Sequence, residues 1–140
     1  MSEEPITPDL VELARRAIEA DTYDEWDALA ERLYAPDAVW SLGGMLGSLE
    51  GLPAIRAFVK DYWLMWDDHH HHVEETLDLG HGVMFGIVRE EGRTKGSDAY
   101  VGARNAWVSL WEAGQVVRTT SYADIDKARA VAERLAEERG

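Results

Sequence analysis

Over most of the first half of the chain, apolar residues recur every three or four positions, the spacing that gathers them on one face of a helix. Thr7 reads as an N-cap, with Pro8 at the first helical position and Asp9 behind it. Leu10, Leu13, Ala14, Ala17 and Ile18 then form a single apolar stripe. Thr22 followed by Glu25 opens a second helix in a capping-box pattern, with Trp26, Leu29, Ala30 and Leu33 as its buried face and Pro36 as its end. Asp37 to Leu42 reads as a short strand, and Gly43, Gly44 and Gly47 make a flexible loop after it. Pro53 stands near the start of a third helix, whose stripe runs through Ile55, Phe58, Val59, Tyr62, Trp63 and Trp66.

From about His69 the period falls to two. Segments near 69–79, 83–91, 98–111 and 115–123 read as strands, separated by Gly80-His81-Gly82, by Gly92 to Ser97, and by Glu112-Ala113-Gly114. Short glycine-bearing turns between successive strands imply antiparallel hairpins. Asp124 is placed to cap a last helix, with Ala128, Val131, Ala132 and Leu135 on one face. The order is helix, helix, strand, helix, four strands, helix, which predicts an α+β fold with helices gathered on one side of an antiparallel sheet. Residues 1–140 read as one domain, without internal repeat or linker.

Composition narrows the classes of partner. With 27 acidic against 14 basic residues the formal net charge is −13, which argues against nucleic acid and against an anionic membrane surface. The segment MSEEPITPDL lacks a basic region followed by an apolar run, so no signal peptide is expected. No apolar stretch approaches the roughly 20 residues of a membrane span. The absence of cysteine removes thiolate nucleophiles and thiolate metal sites, and fits a cytoplasmic protein. Six Trp and five Tyr supply large rings for a core or for the walls of an apolar pocket.

Several segments, in order, carry a family resemblance: Arg15-Arg16-Ala17-Ile18-Glu19-Ala20, Tyr34-Ala35-Pro36-Asp37-Ala38-Val39-Trp40, and Glu50-Gly51 leading to Ala54-Ile55-Arg56-Ala57-Phe58. Gly114-Gln115-Val116-Val117-Arg118 and Tyr122-Ala123-Asp124 follow. Together they resemble the SnoaL-like group of the nuclear-transport-factor-2-like superfamily across nearly the whole chain. The resemblance implies a cone, a bent antiparallel sheet with helices packed on its concave face around a pocket, and a homodimer joined through the outer sheet face. Excess aromatic content on the late strands, at Trp107 or Trp111, agrees with such an interface.

The superfamily includes ketosteroid isomerase, limonene epoxide hydrolase, scytalone dehydratase and polyketide cyclases, as well as members without chemistry, so the fold does not fix the function. The helix tyrosine and the two acids of ketosteroid isomerase fall on Ala17 or Ile18, on Leu42, and on Ala106 or Asn105, and none is retained. The catalytic positions of limonene epoxide hydrolase fall near Glu90, Val88, Ser121, Trp40 and Leu42, where only the acid survives, as Glu90.

Four consecutive histidines, His69-His70-His71-His72, are the most conspicuous motif. Strand alternation puts His69 and His71 on one side and His70 and His72 on the other. Such a pair can hold a metal with a carboxylate such as Glu74 or Asp68. The plain alternative is a polar strand start. Because the run is divided between faces and cysteine is absent, no intrinsic metal and no cofactor are expected.

His71 and Glu90 are the catalytic candidates. An imidazole titrates near neutrality, and a carboxylate among Trp rings is expected to have a raised pKa; for Glu90 and Arg89 the alternative is a surface ion pair. Of Arg104 and Asn105, whichever faces inward needs a hydrogen-bonding partner. Ser121 has no Ser–His–acid context and is not expected to be a nucleophile. Trp40, Tyr62, Trp66, Asn105, Trp107 and Ser121 are the expected ligand-binding residues, between the third helix and the sheet. The expected function is binding of a small, largely apolar molecule in a central pocket. Acid–base isomerisation, cyclisation or hydrolysis without a cofactor is the chemistry such a pocket supports; the alternative is a noncatalytic ligand-binding or dimerisation module.

Overall fold

The computed structural model describes residues 6–42 and 47–140; the loop glycines Gly43 and Gly44 lie outside the described residues. The elements run α1 (Pro8–Ile18), α2 (Tyr23–Leu33), β1 (Tyr34–Ser41), β2 (Ser48–Glu50), α3 (Leu52–Leu64), β3 (Trp66–Asp78), β4 (Val83–Thr94), β5 (Tyr100–Glu112), β6 (Gln115–Tyr122) and α4 (Ile125–Arg139). Three caps form as the local chemistry requires. Thr7 accepts from the Leu10 N–H, Thr22 from the Glu25 N–H, and Asp124 from the Lys127 N–H. Among the described residues no helix is long and apolar enough to cross a membrane.

Two element ends differ from the sequence expectation. α2 stops at Leu33, and Pro36 lies inside β1, where the ladder to β6 shifts register between Tyr34 and Val39. A proline confines the preceding residue to extended backbone and cannot donate to a ladder, so an irregular stretch of strand accommodates it. α3 stops at Leu64, so Trp66 opens β3 instead of continuing the helical stripe. The three-residue β2 was not expected.

The six strands form one open sheet in the order β2-β1-β6-β5-β4-β3. It is mixed rather than wholly antiparallel. β1 and β6 pair in parallel, and the other four pairings are antiparallel. The β5–β6 hairpin turns on Ala113 and Gly114, both at positive φ, which suits the right-handed twist of the flanking strands.

Alternation assigns each strand residue to a face. The inner face carries Met84 and Trp111, which join Leu13, Ala17, Trp26, Leu29, Ile55 and Val59 of α1, α2 and α3 in one core. The outer face carries Val83, Phe85, Ile87, Ala106 and Val108 under α4. The helices are therefore not all on one side. Ala128, Ala132 and Ala136 recur every four residues, and these small side chains bring α4 close to the outer face. Trp107 and Trp111 are buried and line the inner cavity, so they do not supply the apolar outer face suggested for a dimer. Beyond α4 the outer residues are charged, and Arg89 pairs with Glu91 and Arg104 with Glu74.

Gly86 stands opposite Trp107 across the β4–β5 ladder. A Cβ there would lie 2.1 Å from Trp107 Cη2, so the indole lies flat over bare backbone. Gly86→Ala is expected to destabilise the fold by about 1–3 kcal/mol through this overlap. Urea unfolding measures it, and a Trp107→Leu background should absorb most of the loss.

Candidate functional site

The inner face and α1–α3 enclose a cavity of about 410 Å³. Trp26, Tyr34, Trp40, Phe58, Trp63, Trp107 and Trp111 give it an aromatic wall. Of the expected ligand-binding residues, Trp40, Tyr62, Asn105, Trp107 and Ser121 all line it. Trp66 does not: starting β3 turns its ring toward Tyr62 and His69, at centroid distances of 5.9 and 5.0 Å. Trp40 Nε1 donates to Ser121 Oγ at 3.1 Å, which orients the indole at the β1–β6 seam.

Sequence reasoning left several wall residues unassigned, including Trp63, Val88, Ser109 and Thr119. For the strand residues the signal is register, which the chain alone does not show; Trp63 stands on the α3 stripe beside Tyr62. The positions onto which the enzyme resemblances fall, Ala17, Ile18, Leu42, Val88, Glu90, Asn105, Ala106, Ser121 and Trp40, all border this cavity. The positions that the resemblance marks thus fall on the wall although, apart from the acid at Glu90, the catalytic side chains of those enzymes are missing.

At one end of the apolar space lies a polar cluster on four elements. Register places His71 opposite Glu90 on the β3–β4 ladder and Val88 opposite Asn105 on the β4–β5 ladder. Asn105 therefore faces inward and Arg104 outward. Tyr62 reaches the same point from the last turn of α3. Glu90 Oε1 accepts from the Tyr62 hydroxyl and lies 3.0 Å from His71 Nε2; Glu90 Oε2 accepts from Asn105 Nδ2. His71 Nε2 also lies 3.3 Å from the Tyr62 oxygen and 3.2 Å from His69 Nε2. The His71 side chain is 11% exposed and that of Glu90 24%.

His70 and His72 point away from the cluster. His70 pairs with Asp68 at 3.0 Å, and His72 approaches Glu19 at 3.5 Å. The carboxylate beside the inner histidines is thus Glu90, and not the expected Glu74 or Asp68. Glu74 is paired with Arg104.

The electrostatics follow from this packing. Burial pushes the Glu90 carboxyl upward, but hydrogen bonds from His71 and Tyr62 outweigh it, leaving the group below its ordinary value. The raised pKa expected for an acid among Trp rings is therefore corrected, because the rings bring donors with them. Glu90 is an anion at neutral pH, suited to accept a proton. Burial, and then the carboxylate, push the Tyr62 phenol well above its usual range. Burial and the neighbouring His71 push His69 down to about 4, so its ring is neutral at physiological pH. His71 Nδ1, Trp63 Nε1 and Trp66 Nε1 are buried without a hydrogen-bond partner among the described residues.

The sequence model of the SnoaL-like domain matches residues 14–119. No curated protein matches the chain in sequence. Among solved structures, a candidate SnoaL-like polyketide cyclase from Jannaschia sp. CCS1 superposes with a TM-score of 0.74 at 16% identity, covering 95% of this chain and 97% of that one. A nuclear-transport-factor-2-like protein of unknown function from Burkholderia pseudomallei K96243 has a TM-score of 0.70 at 15% identity, with 90% and 98% covered. A ketosteroid isomerase-like fold from Catenulispora acidiphila DSM 44928, in complex with trimethylamine, has a TM-score of 0.69 at 13% identity, with 90% and 93% covered. At these identities the likeness is one of fold.

The wall of the cavity carries its own pH signature. The Tyr34 ring packs on the inner core, and burial pushes its phenol up to about 12. A raised phenol stays neutral in the fold while the unfolded chain ionises near 10. Its stabilising contribution is therefore complete below that point and is lost as pH rises from there through the folded value. Wild type should lose up to roughly 2–3 kcal/mol relative to Tyr34→Phe across this window. Paired urea titrations at neutral and alkaline pH measure the difference.

Proposed function

The chain belongs to the SnoaL-like domain family, and on that premise we propose that it binds a small, largely apolar ring compound and takes a proton from it with Glu90. The observation that carries this reading is an ionised carboxylate at the polar end of an aromatic cavity. Aromatic walls provide non-directional affinity for a flat ligand, and a few convergent polar groups fix its orientation. Catalysis at such a site needs a base of stable geometry. Three donors hold the Glu90 carboxyl from both oxygens, on elements tied to the same core.

The chemistry supported is removal of a proton from carbon next to a carbonyl. The C–H electron pair moves into the carbonyl, giving an enolate, and the proton goes to Glu90. Protonated Glu90 no longer holds the Tyr62 hydrogen bond as strongly, which frees that hydroxyl to donate to the new oxyanion. Returning the proton elsewhere isomerises the ligand, whereas attack of the enolate on a second carbonyl closes a ring. The chain's resemblance to a candidate polyketide cyclase agrees with a substrate that carries several carbonyls. The hydrogen bonds that hold Glu90 also lower its basicity, which favours substrates whose C–H is already acidic, such as 1,3-dicarbonyls.

Two variants separate binding from chemistry. Val88 lies on the inner face and borders the cavity, so Val88→Phe should fill it and abolish the quenching of tryptophan fluorescence by flat aromatic ketones. Glu90→Gln keeps the shape of the site and should preserve that binding. It should slow exchange of the acidic C–H proton of a bound 1,3-dicarbonyl for deuterium, followed by NMR, by about 10²–10⁴-fold. Exchange unaffected by Glu90→Gln would remove the base from the reading, and binding unaffected by Val88→Phe would remove the pocket.

A further inference from the structure

His71 Nε2 has more polar neighbours than a single ring nitrogen can bond at once. It has three polar neighbours, His69 Nε2 at 3.2 Å, Tyr62 Oη at 3.3 Å and Glu90 Oε1 at 3.0 Å. A ring nitrogen carries either one proton or one lone pair. If it donates to Glu90, it offers nothing to His69. If it accepts from Tyr62 or His69, it meets the carboxylate lone pair to lone pair.

A cation held by His69, His71 and Glu90 would draw these three groups together with no proton between them. His69, His71 and Glu90 can each direct one ligand atom at a common point, and those atoms lie within 4.8 Å of one another. Around an ion bound at about 2.1 Å, neighbouring ligand atoms are about 3.0 Å apart at right angles and about 3.4 Å apart at tetrahedral angles. The two measured contacts, 3.2 Å between the histidines and 3.0 Å from His71 to Glu90, are edges of that size. We propose that His69, His71 and Glu90 bind a divalent first-row transition-metal ion, with its remaining coordination positions open toward the cavity.

A second observation, independent of the first, concerns the approach. His69 also borders a separate cleft of about 380 Å³, together with Asp21, Asp67, Asp68, His70, Trp63 and Trp66. Trp63 lines this cleft and the main cavity alike. The cluster therefore lies between an acidic cleft reached from one side and the aromatic cavity on the other. Three carboxylates in the cleft raise the local concentration of cations, and His69 joins that cleft to the cluster. Two imidazoles and one carboxylate with open positions suit zinc or iron(II), and not calcium or magnesium, which favour oxygen ligands.

The His71 far nitrogen, Nδ1, has no partner among the described residues. Metal-ligating imidazoles held tightly donate that N–H to a carboxylate or carbonyl, and loss of such a partner costs about 10–100-fold in affinity. The site should accordingly bind in the micromolar range and exchange its ion freely. The inference does not rest on the proposed function, because the ion site stands whether or not Glu90 takes a proton from a ligand.

The test uses the full chain without a tag, stripped with chelator and never exposed to a nickel column. Titration with Co²⁺ reports coordination by visible absorption, and calorimetry with Zn²⁺ gives stoichiometry. The expected result is one ion per chain. His69→Gln and Glu90→Gln should each weaken binding at least tenfold, while the His70→Gln, His72→Gln double variant binds as wild type. Circular dichroism confirms that each variant folds, and Glu90→Gln, which keeps the shape of the cluster, decides the matter if His69→Gln does not. Failure of the wild type to bind either ion overturns the proposal. So does binding that survives in Glu90→Gln or disappears in the outer double variant. The fluorescence and deuterium-exchange assays, run on stripped protein, read the proposed function separately.

Discussion

The register of the β3–β4–β5 ladder is the constraint on which the site depends. With His71 opposite Glu90 and Val88 opposite Asn105, one face of three strands presents two imidazoles, a carboxylate and an amide. A slip of one residue would present His70, His72, Arg89 and Arg104 instead, setting two guanidinium groups against the tryptophans in place of the half-buried carboxylate. Several contacts oppose that slip. Trp107 lies over the bare backbone of Gly86 on the inner side of β4, and Val83, Phe85 and Ile87 form the outer row that α4 covers with its alanines. Burial on both faces thus fixes the alternation twice.

Within that frame, Glu90 is the group that must be compensated. A half-buried carboxylate is costly unless donors surround it. Tyr62, His71 and Asn105 come from a helix and two strands to meet it. The same donors that make its burial tolerable also hold it ionised and in one orientation. One set of hydrogen bonds therefore sets both the stability of the buried acid and its ionisation, and replacing any donor perturbs both.

How much of this was legible in the chain depended on the range of the interactions. The caps at Thr7, Thr22 and Asp124 are local and appeared where the sequence put them. Trp66 was misassigned because it stands four residues after Tyr62, and a helical period carries no notice that the helix stops at Leu64. The apolar stripe of α4 was visible, yet a stripe does not say which face of a sheet it covers. The parallel pairing of β1 with β6 joins segments some eighty residues apart, and no turn signal announces it. At the site, alternation separated His69 and His71 from their neighbours, but the carboxylate that joins them comes from the next strand. Only register supplies that partner. Division of the run between faces leaves its inner half a pair, and that pair stands beside an acid.

The two imidazoles and the acid are not held alike. β3 is the last strand of the sheet and is hydrogen-bonded on one side only, whereas β4 and β5 are flanked on both. Local opening in proteins begins where backbone hydrogen bonds are fewest and most exposed. Amide protons around His69 and His71 should therefore exchange with solvent ahead of those around Glu90 and Asn105. The cluster thus has a fixed side in the interior of the sheet and a side at its edge that can lift away.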